Sequence, residues 1–138
     1  MILPPNAALP PDDTGHLPLL DHTALAALLA SLDHDQVALD GFIATFVKHW
    51  PERLRRAAEA IGTRDYAAIY DCALSIKVSS QMVGASRLAT YGCELERVVR
   101  SGRLDDALPI LDSLRTIGDE TAQALTASRS RQSREHAA

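Results

Sequence analysis

Aromatic residues are scarce: two Phe, three Tyr and one Trp make up 4% of the 138 residues. A β-sandwich asks for more Val, Thr and aromatic side chains, whereas the abundant Ala and Leu favour packed helices. Cysteine is nearly absent too. Cys72 and Cys93 are too few and wrongly spaced for a zinc site. Both fall inside helical patterns, where they read as small, partly buried thiols, and a reducing compartment argues against a disulfide between them. There is no basic excess, since 14 Lys and Arg against 18 Asp and Glu leave a net charge of −4, and this disfavours nucleic acid as a partner. No apolar run approaches the ~18–20 residues of a membrane span. The start of the chain lacks the basic residues and apolar stretch of a secretory signal, so a cytoplasmic protein is expected. Glu52, Glu59, Glu94 and Glu96 have no histidine three residues on, which disfavours a bundle-type metal carrier. With no nucleophile–base pair and no phosphate-cradling glycine loop, the chain is expected to be no enzyme and to need no cofactor or metal.

What is present divides the chain into three parts. Five of the seven prolines, Pro4, Pro5, Pro10, Pro11 and Pro18, fall in residues 1–18. Proline fixes φ and cannot donate a backbone hydrogen bond, so this part reads as an extended arm or irregular wrap. Residues 19–127 carry helical apolar spacing throughout. Residues 128–138 are polar, with Arg129, Arg131 and Arg134, and read as a fraying helix end followed by a flexible tail.

The middle part predicts five helices. Asp21 or Thr23 caps a short first one with Leu25, Leu28, Leu29 and Leu32 inward. In the second, Leu39, Ile43, Phe46, Trp50, Leu54, Ala57 and Ile61 recur at threes and fours, with a bend expected at Pro51 and a stop at Gly62. A third begins near Thr63–Arg64, buries Ile69, Ala73, Ile76, Ser80 and Val83, and stops around Gly84. The fourth turns Leu88, Gly92, Leu95 and Val99 inward and ends at Gly102. The fifth carries Leu104, Leu108, Leu111, Leu114 and Leu125. Short connections imply antiparallel neighbours. The expectation is an all-α, up-down four-helix bundle with a short additional N-terminal helix.

Between Tyr70 and Val99 the chain resembles the histidine phosphotransfer (Hpt) domain family, and the resemblance extends over roughly Leu20 to Leu125. Phe46 and Pro51 suit the family's second helix. Lys77 stands where its lysine belongs, Ser79 and Ser80 fit a pair of small hydroxyl residues, and Gly84-Ala85 fits a glycine–alanine step. Leu88, Leu95 and Glu96 match the next helix. The resemblance implies a carrier of phosphate between receiver domains, with one departure that decides its reading. Leu74 stands at the position of the phosphoaccepting histidine, and Val78 replaces the small glycine four residues on. An imidazole nitrogen attacks an aspartyl phosphate; an isobutyl group has no lone pair to offer. His16, His22, His34, His49 and His136 lie elsewhere in the sequence, and His49 is the one helical candidate for a relocated site.

At 100° per residue, Ala67, Tyr70, Leu74, Val78 and Gln81 share one direction on the third helix, opposite Ile69, Ile76 and Val83. The interaction face this implies comprises Ala67, Tyr70, Asp71, Leu74, Lys77, Val78 and Gln81. Leu74 and Val78, at i and i+4, make an apolar patch where the family has a polar one. Three fates fit such a patch: a protein partner, cover by the arm or by self-association, and neutral decay. Lys77 is either a solvated lysine or a charge that still attracts a receiver's acidic pocket. Ser80 is expected to bond back along its helix, and Glu94, Glu96, Arg97 and Arg100 to form a solvated face with near-neighbour ion pairs. The reading that results is an interaction module of phosphorelay signalling that docks a receiver domain of a response regulator or hybrid kinase, or another signalling protein, without carrying phosphate. The chain itself is expected to be a monomer or weak dimer. A phosphorelay intermediate using a non-standard site is the alternative.

Overall fold

A computed structural model describes residues 17–137, with side chains as far as Ser128. The first sixteen residues, nearly all of the proline-rich arm, lie outside the described residues. Five helices follow: α1 (His22–Ser31), α2 (Gln36–Gly62), α3 (Tyr66–Met82), α4 (Ser86–Ser101) and α5 (Ala107–Ala137), with a 3-10 turn over Leu104–Asp106. No strand occurs among the described residues.

The helix ends are built from backbone chemistry rather than from glycine alone. Each of α1 to α4 closes with the same pair of bonds, for example Asp65 N–H to Ala60 O at 3.0 Å and Arg64 N–H to Ile61 O at 3.1 Å after α2. This arrangement needs one residue in the left-handed region. Gly84 (φ 72°) and Gly102 (φ 74°) supply it after α3 and α4, but Arg64 (φ 55°) does so after α2. Gly62, taken from the sequence as the stop, is the last residue inside the helix. The next helix then starts at once, because Asp35 caps the Ala38 N–H and Asp65 the Ala68 N–H, each at 3.1 Å. For α1 the cap is Asp21, which accepts from the N–H groups of Thr23 and Ala24. α2 runs unbroken through the exposed Pro51.

Helices α2, α3, α4 and α5 pack in a closed cycle, each against its two neighbours, and α1 lies across the end of α2 and α3. Contacts between α3 and α4 show their antiparallel sense. Tyr66 reaches Gly102, Tyr70 reaches Arg100, and Lys77 reaches Glu96, so one helix descends as the other climbs. The fold is thus the all-α bundle expected. Its core holds Trp50, Ile69, Ile76, Leu88, Leu95, Leu114 and Leu125, each at most 2% exposed.

Two glycines set how closely the helices approach. A Cβ at Gly92 would lie 2.9 Å from the Lys77 nitrogen on α3. A Cβ at Gly118 would lie 2.0 Å from Trp50 Cζ2, so α5 receives the indole of α2 at a position with no side chain. The Trp50 Nε1 donor is buried there without a partner.

Two sequence expectations need correction. Leu108 is 58% exposed, and Ala107, Ile110 and Leu111 carry the inward face of α5 instead. The seam passes over small residues, Ala107 and Gly118, that apolar spacing does not pick out. Ser80 is fully buried as expected, yet its hydroxyl makes no hydrogen bond. α5 itself runs to Ala137, in keeping with a sequence that has neither proline nor glycine after Gly118.

Candidate functional site

The outward face of α3 lies between two flanks. Towards α4, the Lys77 ammonium sits 3.3 Å from a carboxylate oxygen of Glu96, with the two side chains 24% and 15% exposed. Lys77 is therefore neither freely solvated nor an unpaired charge. Its backbone is where Gly92 lets α4 come close, so the pair forms beside a close approach of α3 and α4. One helical step away, Arg100 Nη2 donates to the Tyr70 hydroxyl at 3.0 Å, and its guanidinium carbon lies 5.5 Å from the ring centroid. Arg100 also lies 3.7 Å from Glu96. Glu94 and Glu96, expected to be solvated, are each only 15% exposed; Glu94 pairs with Arg97 at 2.7 Å. Sequence spacing finds the within-helix pairs Glu94–Arg97 and Glu96–Arg100, but cannot show that Glu96 also reaches across to α3.

Towards α2 the flank is different. Asp71 leaves the rest of the expected face and joins His49, Glu52, Arg53, Arg56, Cys72 and Ser75 around a cleft of about 510 Å³. Arg53 Nε donates to Ser75 Oγ at 3.3 Å across it. Glu52 is drawn off into bonds with Arg55 and Arg56 on its own helix; its carboxyl is pulled down to about 2 by the hydrogen bonds and charge of Arg55, with Arg56 adding to it.

Between the flanks run Ala67, Leu74, Val78 and Gln81. Ala67 and Gln81 are exposed, and Val78 is 49% exposed. Leu74 is half-buried rather than open, with Tyr70 and Val78 one turn to either side of it. It is not among the apolar residues packed onto the core. Met82, 44% exposed, extends the Leu74–Val78 row by one more turn. In the sequence the same continuation shows as an i, i+4 series, Leu74, Val78 and Met82.

Chemically this face offers contact and little reactivity. α3 contains no histidine. The described histidines, His22, His34 and His49, are all exposed and stand on α1, in the turn before α2 and on α2. Burial pushes the thiols of Cys72 and Cys93 up, Cys93 against the opposing pull of Lys77, so neither is an activated thiolate. Among the described residues no cluster of His, Cys, Asp or Glu is suited to a metal, and no helix is long and apolar enough to cross a membrane.

Residues 41–131 of this bundle match the Hpt domain family. The chain belongs to that family. Among solved structures it is similar to histidine-containing phosphotransfer protein B from Pseudomonas aeruginosa PAO1, at 30% identity and a TM-score of 0.75, over 83% of this chain and 97% of that one. It shares its fold with the Hpt domain of a sensor hybrid histidine kinase from Shewanella, at 16% identity and a TM-score of 0.67, over 82% and 95% of the two chains. No curated protein matches it significantly. A module of phosphorelay-related signalling is the class these likenesses define.

Proposed function

We propose that the protein is a degenerate Hpt domain that docks a receiver domain, of a response regulator or a hybrid kinase, or another signalling protein, without carrying phosphate. The observation that carries this reading is Leu74: it stands outward on α3 between the two flanks, at the position where the resemblance puts the phosphoaccepting histidine, on a helix with no histidine at all. Two features support it. Lys77, the residue that would steady a phosphoryl group as a point charge, is already engaged by Glu96. Val78 places a branched side chain where the family keeps a glycine. Burying Leu74 and Val78 against a partner contributes about 1.5–3 kcal/mol per side chain before the costs of association. The reading places the protein in the cytoplasm, as a binding partner and not an enzyme.

The test is a pull-down against receiver domains from the same cell, run with and without a phosphoryl mimic. Wild type is expected to retain a receiver, and Leu74→Arg to lose it by at least tenfold. Equal retention by both proteins would move the interface off α3, and no retention at all would take the protein out of receiver binding. Phosphate uptake from a phosphorylated receiver distinguishes the second reading. His49 is exposed beside Arg53 and Arg56 in the α2–α3 cleft; label on the wild-type chain that disappears in His49→Ala would establish it as a relocated carrier.

A further inference from the structure

Leu74, Val78 and Met82 form one ridge along α3, and its Met82 end opens into a groove of about 240 Å³ whose lining includes Phe42 and Phe46, with Thr45 and Arg53 at its polar positions, from α2 and Ser79 and Met82 from α3. We propose that the proline-rich segment 2–11 of this same chain occupies the groove and the Val78–Met82 ridge, and so competes with the partner for the α3 face. The competition rests on the docking face proposed above; the occupancy of the groove does not.

Three observations lead to this occupant. The first is where the described chain begins. The Leu17 carbonyl accepts from Arg87 Nε at 2.6 Å, and the Asp21 N–H donates to the Gly84 carbonyl at 2.6 Å. The chain therefore enters at the α3–α4 connection, two residues beyond Met82. The second is reach. At about 3.1 Å per residue in a polyproline-II chain, the eight steps from Leu17 back to Leu9 span up to about 25 Å. The ridge from Met82 to Leu74 is only about 12 Å long at 1.5 Å per residue. Leu9 can thus stand at Met82 with Ile2 and Leu3 further along the ridge. The third is chemistry. Nine of the ten residues in segment 2–11 are Ile, Leu, Ala or Pro, and none is charged. Proline-rich segments are pre-ordered and dock against exposed aromatic rings, here that of the half-buried Phe42, at little further entropy cost. Asp12 and Asp13 come next in the sequence, and only five residues link the segment to Leu17. A tether this short gives an effective concentration in the millimolar range, which places the chain's own segment ahead of a second copy at micromolar protein.

The experiment uses the full chain with a photo-reactive benzophenone side chain at position 9, irradiated and mapped by mass spectrometry. Cross-links within one chain to Phe42, Val78 or Met82, lost in Met82→Glu, are the expected result. Cross-links between chains, to other parts of the bundle, or no more than in denatured protein would each overturn the proposal. The competition is read separately, with the full chain carrying Ile2→Ser, Leu3→Ser and Leu9→Ser. Retention of the receiver is expected to rise roughly threefold or more over wild type; unchanged retention would remove the competition. If no receiver binds either protein, the docking reading fails, while the cross-link, which involves no receiver, still decides where the segment lies.

Discussion

A methyl group added at Gly118 would meet Trp50 Cζ2 at 2.0 Å, and the indole is 2% exposed with no room to step aside. Gly118→Ala is therefore expected to destabilise the protein by about 1–3 kcal/mol, because overpacking forces rotamers and backbone out of their minima. Gly41 is the opposite case: it lies mid-helix, exposed, with nothing within 4 Å of an added Cβ. Gly41→Ala should stabilise by about 0.5–1 kcal/mol through helix propensity alone. Urea unfolding of the two variants beside wild type checks both signs, and shifts in the same direction would contradict the packing described. Glu52 supplies a pH-dependent counterpart. Its folded carboxyl is lowered from 4.5 to about 2, chiefly by Arg55. Since the folded state gives up this proton more readily than the unfolded chain, its contribution is complete above about pH 4.5 and is lost as pH falls through 2. Carboxyl NMR should place the Glu52 midpoint near 2, and Arg55→Met should return it most of the way to 4.5. A midpoint unmoved by that substitution would show the ion pair is not its cause.

At the level of elements, α3 depends on Asp65, which ends one connection and begins the next helix. It donates its N–H to Ala60 and accepts from Ala68. Asp65→Ala keeps the first bond and loses the second, so a loss of about 1 kcal/mol is expected in thermal unfolding, with docking left intact. A loss near zero would mean the cap is idle in solution. The helices themselves were legible in the sequence because threes and fours in Leu39, Ile43, Phe46 and Trp50, or Ile69, Ala73, Ile76 and Ser80, are a local signal that burial bears out. What escaped was whatever depends on a distant partner. Gly118 carries no pattern of its own, and only Trp50 on another helix explains it. Lys77 looked like a free charge because its partner Glu96 belongs to α4. Leu108 fits the apolar spacing of Leu104, Leu111 and Leu114, whereas the seam selects Ala107 beside it. The α3 face was legible as a direction on one helix; its division into an α4 flank with Lys77 and Tyr70 and an α2 flank with Asp71 was not.

For the molecule as a whole, the cycle of four helices has an uneven wiring. Three of its seams join helices that follow one another along the chain, α2 with α3, α3 with α4 and α4 with α5, and one joins the first of them to the last. Most tertiary contacts can therefore form across a connection of a few residues, with little loop-closure entropy to overcome. Chains wired this way fold in microseconds to milliseconds. Stopped-flow refolding followed by the fluorescence of Trp50, the only tryptophan, should be complete within about a few tens of milliseconds. A dominant phase of seconds that a prolyl isomerase leaves unchanged would mean that ring closure between α2 and α5 controls the rate. In that case the bare backbone at Gly118 would govern how quickly the protein is ready for its partner after synthesis, as well as how firmly it holds together.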